Sequence, residues 1–416
     1  MYIKVKYLVI ANYPKNRVIL VNPLERLEVI CILQSNLSMT TSWTWNQFSE
    51  SKLLSVEKTI LSVLKSKYIT RFVNIKWETG TNERIWTISL NTESKNTPLV
   101  LLHGFAAGIG FWVRNLDPLS KDRPVYAIDL LGFGRSSRPE FSMDSLEAER
   151  QMVDSIEAWR RQMELEQFIL LGHSMGGFLA TSYAISYPER VKHLILADPW
   201  GFQDKSQASP KNPKLLFKIL GIVLYPFTNL NPLASVRALG PFGPWVIQRM
   251  RGDIIDKFDD IFEDKTIIPN YIYHCNAQNP TGEAAFHRMI HGFGWARNPM
   301  IHRIPNLKKE IPITYMNGSD SWMDQDGTMA PRIREMRSDC FVDIKIIENA
   351  GHHIYADQAD QFNDIIIKAC KIADDEDDKV PILTLKNGHY KLKENEEDDS
   401  IDYSDDNNSE FETNLS

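Results

Sequence analysis

Cysteine is scarce in this chain: four in 416 residues, Cys31, Cys275, Cys340 and Cys370, with no C-x-x-C pair. That scatter fits neither a disulfide framework nor a cysteine zinc site, and it suits a reducing compartment. Long apolar runs are missing as well. No stretch reaches the 18 or more residues that read as a membrane-crossing helix, and Tyr7 to Ala11 is too short for a signal peptide. Nor is there a basic excess, since 47 Lys and Arg stand against 54 Asp and Glu, and no nucleic-acid partner is expected. These absences leave a cytoplasmic protein, or one that meets a membrane only at its surface.

The acidity is itself local. Residues 374–416 hold fifteen Asp and Glu against four Lys, so the body of the chain is mildly basic, compatible with anionic lipid or with an ordinary solvated face. This Ser- and Asn-rich tail is expected to be disordered, because it cannot bury enough apolar area to order itself. Residues 1–41 form an extension without a sustained period and are assigned no chemistry.

What is present is a succession of buried strands and amphipathic helices. Within 42–69, Trp43 and Trp45 precede a helix over Ser49 to Lys67, with Leu53, Leu54, Ile60, Leu61 and Leu64 at helical spacing. Such a stripe either packs on the domain or, given the tryptophans and lysines, lies in a lipid interface. A β-hairpin is predicted over 70–90. Pro98 to Leu102, Val125 to Ile128, Phe168 to Leu171, His193 to Ala197, Ile311 to Met316 and Phe341 to Ile347 read as further strands. Asp144 to Glu164, Phe178 to Ser186 and Gln358 to Ala373 read as helices, the first opening with Asp144 and Glu147 at capping-box spacing. Alternation of this kind predicts an α/β protein with a mostly parallel sheet flanked by helices. The core takes residues 70–199 and 301–373, and residues 200–300, rich in Pro, Phe, Tyr, Trp and Leu, form a helical cap inserted between them.

The chemistry gathers at Gly172-His173-Ser174-Met175-Gly176, a G-x-S-x-G between strand and helix, which is the nucleophile-elbow pattern of the α/β-hydrolase fold. Ser174 is the expected nucleophile. Acyl transfer then requires a base, a carboxylate to orient it and an oxyanion hole, with the chain order Ser, Asp or Glu, His. The base is expected at His352 rather than His353, because Gly351 would free the backbone to bend toward the serine. Asp320 and Asp324, on the loop after Ile311 to Met316, both qualify as the orienter. The oxyanion N–H groups are expected from Phe105, after His103-Gly104, and from Met175. Asp129, in the Asp129 to Ser137 loop, reads as structural. His287 and His291 are four apart on a cap helix, but Arg288 stands where H-E-x-x-H has glutamate, so no metal is expected there and no cofactor elsewhere.

Several strings resemble the lipid-handling α/β-hydrolases called abhydrolase domain-containing proteins four and five: LLHGF, RPVYAIDLLGFGRSSRP, LLGHSMGGFLA, DPWGF, NPLASVRALGPFG, YIYHCN, GWARNPM and AGHHIYADQ. The resemblance covers about residues 42–372. It implies enzymes or regulators of lipid metabolism in the cytoplasm that visit lipid droplets and membranes, mitochondrial ones included. It implies Asp324 as the triad acid, and it marks His352 to Asp357 as the H-x4-D motif associated with lysophosphatidate acyltransferase activity, although chemistry alone makes Asp357 a helix N-cap or a support for the loop. Member five carries asparagine at the nucleophile position and activates a patatin-like triglyceride lipase, whereas this chain keeps Ser174. Members that activate the lipase carry arginine where this chain has Asp320.

The expected function is therefore a serine hydrolase acting on acyl esters of (lyso)phospholipids or glycerolipids, with acyl transfer to lysophosphatidate as a further activity. The alternative is a droplet-bound scaffold that binds a triglyceride lipase and perilipin-like proteins. Dehalogenases and epoxide hydrolases on the same fold use a carboxylate nucleophile, and Ser174 argues against them.

Overall fold

The computed structural model describes residues 48–78, 80–204, 233–292, 294–324 and 327–375, with two paired segments at 383–386 and 389–392. Trp43, Trp45, Cys31 and the rest of the N-terminal extension lie outside the described residues, as does part of the cap.

Eight strands form one sheet: β1 (Tyr68–Lys76), β2 (Asn82–Leu90), β3 (Leu99–Leu102), β4 (Val125–Ile128), β5 (Phe168–His173), β6 (Val191–Ala197), β7 (Ile313–Gly318) and β8 (Val342–Ile347). Their spatial order is β1-β2-β4-β3-β5-β6-β7-β8. β2 runs antiparallel to both its neighbours, and every later pair is parallel. The four-residue runs of β3 and β4 and all six residues of β5 are buried, as strands covered on both faces must be.

Alternate residues of the same strand feed different layers. Val100, Leu102, Leu170 and Leu194 belong to one apolar cluster, and Leu99, Leu101, Ile169 and Ile195 to the other. This is the two-residue period of a strand written into two cores. On one side stand α3 (Ser145–Gln162) and α4 (Met175–Ser186), where Asp144 caps α3 by accepting from the N–H groups of Leu146 and Glu147. On the other side stand α1 (Glu50–Leu61), α2 (Val113–Leu119) and the closing helix α12 (Ala359–Asp374). The face of α1 that carries Leu53, Ile60 and Leu61 is at most 2% exposed. It packs in the core and is not available to lipid.

Between β6 and β7 the described residues form α5 (Ala234–Ala238), α6 (Gly243–Met250), α7 (Gly252–Ile255), α8 (Ile267–Asn276) and α9 (Thr281–Met289). Arg138 ties this cap to the core. Its guanidinium donates to Gly132 O and Gly134 O on the core loop and to Cys275 O, Asn279 O and Gln278 Oε1 on the cap. A short α11 (Ile354–Asp357) precedes α12, and α10 (Met329–Met336) lies between β7 and β8. In the acidic tail, expected to be disordered, Leu383–Lys386 pairs antiparallel with His389–Leu392. The sequence signal was there in Asn387-Gly388, a favoured hairpin dipeptide between two alternating runs.

Candidate active site

Ser174 follows β5 directly and opens α4. Its backbone sits at φ 54°, ψ −119°, a region a serine occupies only when its surroundings force it. The surroundings do so by removing all slack. A Cβ on Gly172 would fall 2.2 Å from Gly176 O, and one on Gly176 would fall 2.4 Å from Leu102 O. Ser174 N–H donates to Ala197 O at the end of β6, and Ser174 O accepts from Trp200 N–H at 3.0 Å. The elbow is thus wedged between β3 and β6.

The base is where the loop after β8 delivers it. His352 Nε2 lies 3.0 Å from Ser174 Oγ, and His352 Nδ1 lies 2.5 Å from Asp198 Oδ2. A carboxylate only accepts, so Nδ1 carries the proton, which leaves Nε2 as the acceptor for the serine O–H. The carboxylate at the imidazole is Asp198, not Asp324 or Asp320. Asp198 is the first residue past β6, fully buried, at φ 46°, and its Oδ2 also accepts from Ser321 Oγ at 2.5 Å.

Asp324, expected to orient the base, uses both carboxylate oxygens elsewhere. They accept from the N–H groups of Thr328 and Met329, each at 3.1 Å, where α10 begins. Asp320 is exposed, and its N–H donates to Ala350 O. The physical reason is local: an aspartate a few residues ahead of a helix finds unpaired N–H groups closer than any imidazole. Sequence reasoning passed over Asp198 because the chain order Ser, Asp, His admits both loops. The available signal was its place immediately after a buried strand, at the sheet's carboxyl edge, where ligands of open α/β folds gather.

Gly351 also differs from expectation. It is not among the residues with positive φ, and a Cβ there would meet only Asp357 Oδ2 at 3.6 Å. The left-handed turn is made by Asn349, at φ 56°. His352 therefore reaches Ser174 without glycine's conformational freedom.

The two expected oxyanion donors lie shortly after β5 and β3. Met175 follows the serine, and Phe105 follows Gly104, whose added Cβ would fall 2.8 Å from His173 Nδ1 and 3.1 Å from Ser174 Cβ. The β3 loop backbone is thus pressed against the nucleophile. Its shape is set by His103, which donates from Nδ1 to Gly104 O at 2.7 Å and accepts at Nε2 from Leu130 N–H at 3.0 Å. Asp129 is held inside, accepting from Ile109 N–H and Arg135 N–H. Its role is to shape two loops, and burial pushes its carboxyl up.

Two further histidines back the base. His173 Nε2 donates to His352 O at 2.9 Å, and the His173 ring lies 4.7 Å from that of His352. His353 hydrogen-bonds Tyr355 Oη at 3.2 Å. Burial, then the charge of His352, drives His173 far down, and burial first drives His353 down to about 3. Both stay in the neutral form and so place no second positive charge beside His352.

Against Phe105 the cap supplies an aromatic wall. Phe286 of α9 stacks on Phe105 with centroids 4.7 Å apart and meets Trp200 edge-on at 4.7 Å. Trp322, 60% exposed, stands 5.2 Å from the His352 ring. His287 lies in the last turn of α9, and His291 lies in a two-residue strand. Among the described residues no cluster of three or more His, Cys, Asp or Glu is placed to hold a metal.

A family model of the alpha/beta hydrolase fold matches residues 97–221. The chain is 47% identical to (lyso)-N-acylphosphatidylethanolamine lipase of Mus musculus, over 78% of this chain and 93% of that protein. It is 46% identical to 1-acylglycerol-3-phosphate O-acyltransferase ABHD5 of Mus musculus, over 78% of this chain and 91% of that protein. Among solved structures, naproxen esterase from Bacillus subtilis superposes with a TM-score of 0.53 at 16% identity, covering 77% of this chain and 99% of that one, a likeness of fold. With this sheet order, this elbow and these relatives, the chain belongs to the α/β-hydrolase family, in the branch that holds the (lyso)-N-acylphosphatidylethanolamine lipases and ABHD5.

Proposed function

We propose that this protein is a serine hydrolase of acyl esters in (lyso)phospholipids or glycerolipids. Ser174 attacks the ester carbonyl, His352 takes its proton and returns it to the leaving alcohol, Asp198 orients and stabilises the imidazolium, and the N–H groups of Phe105 and Met175 hold the oxyanion. One observation carries the proposal: the unbroken relay from Ser174 Oγ through both ring nitrogens of His352 to the buried Asp198. The names of its relatives support the lipid substrate class and add acyl transfer, in which lysophosphatidate rather than water takes the acyl group from Ser174.

The aromatic wall of Phe105, Phe286 and Trp200 suits an acyl chain. Large exposed apolar side chains on the cap, Phe242, Trp245 and Met250, suit contact with a lipid droplet or membrane surface. Among the described residues no helix is long and apolar enough to cross a membrane.

Labelling of the purified protein with a fluorophosphonate, beside Ser174→Ala, tests this directly. Wild type should label and the variant should not, and competition by lysophospholipid or triglyceride then names the substrate class. A folded wild type that never labels sinks the enzyme and leaves a scaffold for a triglyceride lipase as the function to pursue.

A further inference from the structure

Asp357 closes the H-x4-D string, yet its carboxylate faces the back of the histidine loop. Its Oδ2 accepts from Gly351 N–H at 2.9 Å, one residue before the base. Its other oxygen pairs with Lys257 Nζ, which belongs to the cap, in the turn Asp256–Phe258 after α7. Both side chains are largely shielded, at 19% and 12% exposure, so the pair is screened less than a surface one. The Lys257 turn is itself fixed to the core, because Arg114 of α2 donates from Nε to Lys257 O at 2.9 Å and pairs with Asp260. From the far side His173 holds the carbonyl of His352. The backbone that carries the base is therefore clamped on one side by the nucleophile strand and on the other by the cap.

We propose that Lys257 and Asp357 form a latch through which the seated cap keeps His352 in register with Ser174. Asp357 is then a positioning residue for every reaction of the acyl-enzyme, and not a group reserved for acyl transfer. The inference rests on the serine-hydrolase reading above. It gives a reason for the cap to be coupled to chemistry: a cap that lifts withdraws Lys257, frees the Asp357 carboxylate and loosens the loop at Gly351.

The test compares Asp357→Asn, which keeps an acceptor for Gly351 N–H but removes the ion pair, with Lys257→Met and with the double variant. Three rates are read: fluorophosphonate labelling, hydrolysis of a short-chain p-nitrophenyl ester, and acyl transfer to lysophosphatidate. Misplacing the base should lower all three by one common factor, roughly ten- to a hundred-fold, with KM for the short ester unchanged. The double variant should be no slower than the worse single one, because both remove the same contact. The latch is overturned if Asp357→Asn cuts transfer and spares hydrolysis, or if Lys257→Met, folded by circular dichroism, runs at the wild-type rate. Failure of the underlying reading looks different, since wild type itself would then not label.

Discussion

Two neighbouring strands, β6 and β7, each release a loop at the same edge of the sheet, and each loop carries an aspartate that could serve the base. They differ in how the backbone holds them. Asp198 is still part of the strand ladder, its N–H donating to Met316 O at 2.7 Å, and it is wholly buried. Asp324 lies six residues past Gly318, the end of β7, and its carboxylate is bonded to the first N–H groups of α10. The β7 loop still contributes, but through Ser321, which donates to Asp198, and Trp322, which lies against His352. A carboxylate fixed by a strand end holds an imidazole in place, whereas one on a longer turn bonds to whatever donors that turn provides.

The largest effect that could break this comparison comes from replacing each carboxylate in turn. Asp198→Asn should lower kcat by about four orders of magnitude, since an amide can favour the wrong tautomer of the histidine. Asp324→Ala should leave kcat near wild type and cost about 1 kcal/mol of stability, the usual effect of losing a helix-start acceptor. Turnover of a p-nitrophenyl ester and urea unfolding of the two variants decide it. An inactive, folded Asp324→Ala with an active Asp198→Asn would reverse the assignment.

How far the chain discloses itself before folding depends on the same distinction. Strands such as Leu99–Leu102 and residues 168–171, buried on both faces, are written as continuous apolar runs, and Ser174 is written at the centre of a G-x-S-x-G between strand and helix. A histidine base after the last strand was legible, but the preference for His352 over His353 rested on a freedom of Gly351 that the backbone does not use. The choice of carboxylate was not, because it depends on a positive φ at Asp198 and on α10 starting near Asp324, which are facts of backbone path rather than of residue type. The Lys257 contact to Asp357 spans a hundred residues and has no local signature at all.

A smaller effect sharpens the comparison from the β7 side. Ser321→Ala removes one of the two hydrogen bonds on Asp198 Oδ2 and leaves the imidazole contact in place. A hydrogen bond to a charged group is worth about 1.5–3 kcal/mol, so kcat/KM should fall roughly ten- to a hundred-and-fifty-fold, with Ser321→Thr restoring most of it. An unchanged rate would mean that the β6 loop holds its carboxylate unaided.

The smallest effect concerns the platform beneath both loops. His193 of β6 lies 2.8 Å from Thr314 Oγ1 of β7, fully buried, and burial pushes its imidazole down to about 3. A histidine that stays neutral in the fold but takes up a proton when unfolded supports the native state above its ordinary pKa near 6.5. That support is lost progressively as pH falls from there toward 3. His193→Gln keeps a hydrogen-bonding group but cannot titrate. The stability gap between the variant and wild type, measured by urea unfolding, should therefore shift by on the order of 2 kcal/mol in the variant's favour between pH 7 and pH 5. Ester turnover at pH 7 should not change, because the loops are held by their own bonds above this contact. Should turnover fall with the substitution, the rigidity attributed to the end of β6 would instead be a property of the β6–β7 pair, and the contrast between the two aspartates would have to be drawn one layer deeper in the sheet.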